Sequence, residues 1–155
     1  MNLLKELGYK YCGFWLQLNE DKEQSSNYLR FKYNIENNDL SNMKGPLVYI
    51  WVQNKKIIYA GESSRSVKQR MSDHEGGFRG GSKSGIERQK NLLKLNKYRF
   101  DVYVAFEPFL STYLQKMINN TNDIFFEPID QDQSMAMKRE EKLIISIFDP
   151  ILNNK

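Results

Sequence analysis

The sequence predicts an α/β (α+β) protein: a small, mainly antiparallel three-stranded sheet flanked by helices, with a β-rich N-terminal appendage. Three observations carry that expectation. Apolar runs at residues 47–52 and 56–60 flank a polar Gln53-Asn54-Lys55 tip and read as a hairpin turning through those three residues. Residues 99–106 alternate cleanly, with Phe100, Val102, Val104 and Phe106 on one face, and make the third strand. Elsewhere the apolar period becomes helical, at Val67, Met71 and His74 and again from Ser134 to the residue before Pro150.

Composition limits the alternatives. A chain of 155 residues, 40% hydrophobic and 13% aromatic, supports one compact globular unit and is too short for two comfortable ones. No apolar run approaches the roughly 20 residues that span a bilayer. The first residues lack a basic segment ahead of an apolar one, so a cytoplasmic protein is expected. Cys12 is the single cysteine, which excludes an internal disulfide and a cysteine-based zinc cluster. The net charge of +4 says little, but its distribution says more. Residues 65–99 hold ten Lys and Arg against three acidic residues, a basic sector suited to phosphate or to plain solvation.

Residues 1–45 read as an appendage packed on a core of residues 46–155. Leu3, Leu4 and Leu7 mark a short helix stopped by Gly8. Residues 11–18 and 28–33 look like strands around a polar loop. In the second, aromatic and basic residues interleave, which suits an edge strand with its lysines outward or a nucleic-acid contact. Residues 36–46 read as a linker. After the hairpin, Ser66 and Gln69 form a capping box for the next helix. A loop with five glycines in eleven residues follows at 75–85, and Arg79 and Lys83 lie on it. Ser84 and Glu87 repeat the capping pattern ahead of a helix to about Lys97, whose polar face carries Arg88, Lys90 and Lys94. Residues 108–119 read as a helix, and residues 121–133 as a connection with a short strand at 124–126.

The strand–turn–strand–Gly–helix unit gathers Tyr49, Tyr59, Arg70 and His74. Two phenols, a fixed cation and an imidazole can work on a phosphodiester. Val48-Tyr49-Ile50, then Tyr59-Ala60-Gly61 ten residues on, Arg70 nine past the glycine and His74 four further resemble the core of the GIY-YIG nuclease family. Glu141, Pro150 nine later and Asn153 three after that resemble the family's late helix. The sequence departs from the pattern where Leu47-Val48-Tyr49 replaces Gly-Ile-Tyr, at Ala60, and at Glu62, which adds a negative charge.

The resemblance implies a Mg²⁺ (or Mn²⁺) dependent DNA endonuclease, with restriction enzymes among its stand-alone members. Glu141 would hold the metal, Arg70 a phosphate oxygen. His74 would relay a proton or bond a phosphate. Tyr49 would deprotonate the attacking water, with Tyr59 assisting, provided nearby cations lower the phenol pKa from about 10. Asn153 would close the site. Arg65, Lys68, Arg79, Lys83, Arg88, Lys90 and Lys94 would meet double-stranded DNA, and cutting both strands implies a homodimer. The departures leave open a domain that binds nucleic acid without cutting it. Helical projection at about 100° per residue puts Glu140 inside the apolar arc of the last helix and Glu141 on its flank. A buried carboxylate needs a partner or a metal, and the motif spacing selects Glu141.

Overall fold

The computed structural model describes residues 2–18, 30–78, 87, 99–122 and 132–153. The elements in order are α1 (Asn2–Leu7), β1 (Lys10–Leu18), β2 (Arg30–Ile35), α2 (Asn38–Asn42), β3 (Leu47–Gln53) and β4 (Lys56–Ser63). They continue with α3 (Val67–Gly76), β5 (Arg99–Ala105), α4 (Phe109–Asn122) and α5 (Gln133–Phe148). The expected second capped helix, with Arg88, Lys90 and Lys94, and the expected strand at 124–126 lie outside the described residues, as do Arg79 and Lys83.

The fold class is the one expected, an antiparallel sheet with helices on its faces. The three core strands are β3, β4 and β5, and the N-terminal strands extend the same sheet to five in the order β2-β1-β5-β3-β4. Every described pairing is antiparallel. β2 is an edge strand, with Phe31 buried and Lys32 exposed. Residues 36–46, read as a linker, contain α2. Asn37 caps it by accepting from the Leu40 N–H at 3.0 Å.

β3 is buried along its whole length because both faces of the sheet are covered there. Tyr49, Trp51 and Tyr59 pack with Val67, Met71 and Phe78 on one face. Val48, Ile50, Val52 and Ala60 pack with Met137 and Ile144 of α5 on the other. α3 forms where predicted: both hydrogen bonds of the Ser66–Gln69 capping box are made, and the buried residues are Val67, Met71 and His74. Phe78, expected on the glycine-rich loop, is in the core at 1% exposure.

The hairpin corrects one expectation. Its loop has two residues, not three, because Gln53 pairs with Lys56. Asn54 and Lys55 take φ of 47° and 65°. Two consecutive left-handed residues match the twist of paired strands, and asparagine tolerates that conformation better than most. Such a loop alone would put Tyr49 and Tyr59 on opposite faces. A bulge prevents it: the register shifts between Val52↔Ile57 and Trp51↔Tyr59, leaving Ile58 as an extra residue. Both phenols therefore share a face, with ring centroids 5.9 Å apart.

Glu140, in the apolar arc, has four donors. Its Oε1 accepts from the Tyr9 hydroxyl at 2.6 Å and the Leu110 N–H at 2.8 Å. Its Oε2 accepts from the Ser111 N–H at 2.9 Å and hydroxyl at 2.6 Å. The carboxylate thus caps the first turn of α4 and ties it to α5 and to the start of β1, and its charge suits the positive end of the helix. Burial, and then the charge of Glu140, push the Tyr9 phenol well above its usual pKa.

Glu140→Ala is expected to lower stability by roughly 3 kcal/mol, since it strands several buried donors at once. Urea unfolding checks this: the midpoint should fall with the slope unchanged.

Candidate active site

The site is built around the Tyr49 phenol. Tyr49 is fully buried on β3 and lies across Gly61, its partner in the β3–β4 register. A β-carbon on Gly61 would overlap the phenol oxygen and its ring carbon, so the glycine after Tyr59-Ala60 is a space requirement. The phenol oxygen meets two side chains of α3. Arg70 Nε–H donates to it at 3.1 Å, and His74 Nε2 lies 2.7 Å away. Arg70 and His74 are four apart on the helix and so reach the same point.

A guanidinium only donates, so the Tyr49 oxygen accepts from Arg70 and its own proton is directed elsewhere. His74 Nε2 and the Tyr59 hydroxyl, which also bonds this phenol, are both positioned to take it. Burial raises the Tyr49 pKa well above 10, and Tyr59 adds to the rise, while Arg70 opposes them without winning. Arg70 acts in the expected direction, but burial outweighs it, and Tyr49 holds its proton near pH 7. Burial works to lower the Arg70 pKa, but Tyr49, Tyr59 and Asp73 outweigh it and raise it, so the cation is permanent. Arg70 also stands 3.7 Å from Asp73, which in turn accepts from Arg65 at 3.1 Å.

Trp51 was not singled out from the sequence, although it alternates with Tyr49 on β3. Its ring centroid is 4.4 Å from that of Tyr59 and 4.9 Å from that of His74. Tyr59 is 8% exposed against 0% for Tyr49, and is the outer member of the pair.

Glu141 comes from α5, on the other face of the sheet, and is half-buried beside the β4 edge. Burial first, and the neighbouring Glu62 charge second, raise its pKa. The Glu62 backbone N–H bonds the carboxylate, and the charges of Arg70 and Lys142 favour its ionised form. Arg70 and Glu141 are thus within electrostatic reach across the edge strand. Glu140, one residue away, has both oxygens engaged and no exposed surface, so of the two carboxylates Glu141 is the one open to a ligand.

The spacing from Glu141 to Asn153 has a geometric cause. α5 ends at Asp149, left-handed with φ of 44°, and Pro150 cannot continue the helix. A turn then brings Asn153 to β4. Its Oδ1 accepts from the Ala60 N–H and its Nδ2 donates to the Ala60 C=O, both at 2.8 Å. The Leu152 N–H donates to the Ile58 C=O at 2.9 Å. Asn153 therefore pairs with the open edge of β4 as a strand would.

Of the candidate DNA contacts, Arg65 and Lys68 are exposed near this site. Among the described residues no group of three or more His, Cys, Asp and Glu could hold a metal, and no helix is long and apolar enough to cross a membrane.

No curated protein sequence matches the chain. Among solved structures, restriction endonuclease HPY188I in complex with product DNA is 23% identical, over 83% of this chain and 82% of that one, with a TM-score of 0.45. The family model of the GIY-YIG catalytic domain matches residues 45–146, which hold Tyr49, Tyr59, Arg70, His74 and Glu141, and the chain belongs to the GIY-YIG nuclease family.

Proposed function

We propose that the protein is a divalent-metal-dependent endonuclease that hydrolyses phosphodiester bonds of double-stranded DNA, acting as a homodimer in a restriction-type role. The observation that carries the reading is the convergence on the β4 edge of the Tyr49–Arg70–His74 cluster from one face and Glu141 from the other.

The donor set fits a hard cation. Glu141 offers carboxylate oxygen beside a second negative charge, and Mg²⁺ commonly binds through one or two carboxylates while keeping several waters. A Mg²⁺ or Mn²⁺ ion held by Glu141 would supply charge stabilisation to the leaving oxygen. Arg70 commits its Nε–H to Tyr49 and keeps further donors for a phosphate oxygen, where charge builds as water attacks. The water's proton passes to Tyr59, the Tyr59 proton to Tyr49 and the Tyr49 proton to His74 Nε2. One water O–H bond breaks, two phenol O–H bonds are exchanged and one imidazole N–H forms, while the new P–O bond replaces the one to the leaving oxygen, which takes its proton from solvent. The phenol never has to ionise ahead of the reaction, which its raised pKa would make costly. Tyr59, on the outer side, positions the water.

A second reading, binding without cutting, is favoured by the departures from the family's pattern, Leu47 in place of the first glycine, Ala60 and Glu62. Plasmid incubation with Mg²⁺ or with EDTA separates the two. Endonuclease action predicts nicked and linear products with Mg²⁺, none with EDTA, and reproducible ends on mapping. Intact plasmid beside retained DNA binding selects the second reading.

Arg70→Ala and Glu141→Gln should each reduce cleavage by about 10²-fold or more, with thermal unfolding little changed because both replace charge at a cleft. Near wild-type turnover in either removes that residue from the mechanism.

Gly61→Ala should reduce cleavage comparably, by displacing the phenol oxygen from Arg70 and His74. Here DNA affinity should persist, since no phosphate contact is removed.

DNA binding should weaken steeply with salt through counterion release by the basic sector. Fluorescence anisotropy across a salt series measures the slope, and a flat plot argues against DNA as the partner.

A further inference from the structure

We infer that Trp51 is a positioning residue, whose indole sets the plane of the His74 imidazole and so aims Nε2 at the Tyr49 phenol. The inference rests on the proton route proposed above.

Trp51 lies on β3 opposite Tyr59 and is 0% exposed. Its ring meets Tyr59 at an interplanar angle of 35° and His74 edge-on at 71°. His74 also meets the Tyr49 and Tyr59 rings at 5.6 and 5.5 Å. The imidazole therefore stands within three aromatic rings, and of the three Trp51 has the centroid nearest to it. On its other sides the indole packs on Trp15, Phe78 and Phe100, which are anchored in the sheet core. Aim matters for this imidazole. A turn of the ring about its own bond swings Nε2 away from the 2.7 Å contact with Tyr49.

Packing alone does not account for a tryptophan here. The Trp51 Nε1–H is buried without a hydrogen-bond partner among the described residues. A buried N–H left unpaired is a cost that phenylalanine would not carry. What phenylalanine lacks is the larger ring area that here meets Tyr59 and His74 together. Relief of that N–H offsets part of the packing lost with a smaller ring, so stability and positioning can be measured apart.

The test is Trp51→Phe in the full chain, read in three ways. Thermal unfolding should fall only slightly, because relief of the buried N–H offsets part of the cavity left by the smaller ring. The KM for DNA should be unchanged while kcat falls by about tenfold or more, because a misaimed proton acceptor affects the transition state and not binding. His74 is the single histidine, so its ring ¹⁵N shifts are assigned without ambiguity. They should report one fixed tautomer in the wild type and averaged tautomers in the variant. That readout is independent of cleavage, so loss of the nuclease reading and loss of this one are distinguishable. Averaged tautomers in the wild type overturn the inference, as does a single tautomer retained in Trp51→Phe, whatever its rate. Turnover within about twofold of wild type also overturns it. If the phenylalanine variant does not fold, Trp51→Tyr serves with the same outcomes.

Discussion

Ile58 has no counterpart on β3, and the site depends on that one extra residue. A two-residue turn fixes the parity of the hairpin, and parity decides which side chains share a face. Without the bulge, Tyr59 would lie among the residues packed on α5 while Tyr49 faced α3. With it, Tyr49, Trp51, Tyr59 and Gly61 form one surface, and α3 is capped by Ser66 so that Arg70 and His74 descend onto it. The hydrogen bonds at the phenol oxygen follow from this register. So does the need for glycine at 61, because the phenol occupies the space where a side chain would stand.

On α5 a single residue step separates two fates. Glu140 points into the protein and is consumed by Tyr9, Leu110 and Ser111, holding the end of α4 in place. Glu141, about 100° further round, reaches the sheet edge and keeps capacity for a ligand. The pair shows how a buried charge becomes structural when every lone pair is directed at a donor. Its neighbour is left electrostatically unsettled by Glu62 and can gain from a cation.

Much of this was legible in the sequence, because period and capping are local. The α3 face, the alternation of β5 and the stop at Pro150 all followed from short-range chemistry. The turn length did not. Gln53-Asn54-Lys55 permits two or three loop residues, and the choice depends on a bulge with no local signature. Ile58 is simply another β-branched residue in an apolar run. Glu140 and Glu141 could be ranked by arc and flank, but the donors that satisfy Glu140 lie about thirty and 131 residues away in sequence. The direction of the Tyr49 pKa was likewise hidden, since it depends on burial that strand pattern alone does not measure. Trp51 was not singled out because its contact with His74 joins two elements.

The closure of β4 by Asn153 has a kinetic meaning. Ala60 and Asn153 are 93 positions apart, and their two hydrogen bonds join an edge strand to the turn beyond the last helix. The entropy of closing so long a loop must be met before those bonds return anything. β3 and β4, joined by two residues, need no such wait. Without those bonds β4 would present an open row of backbone donors and acceptors, the form in which strands recruit other chains. The last turn acts as an internal stopper for that edge, and a chain that lost it would be left with a strand edge open to self-association.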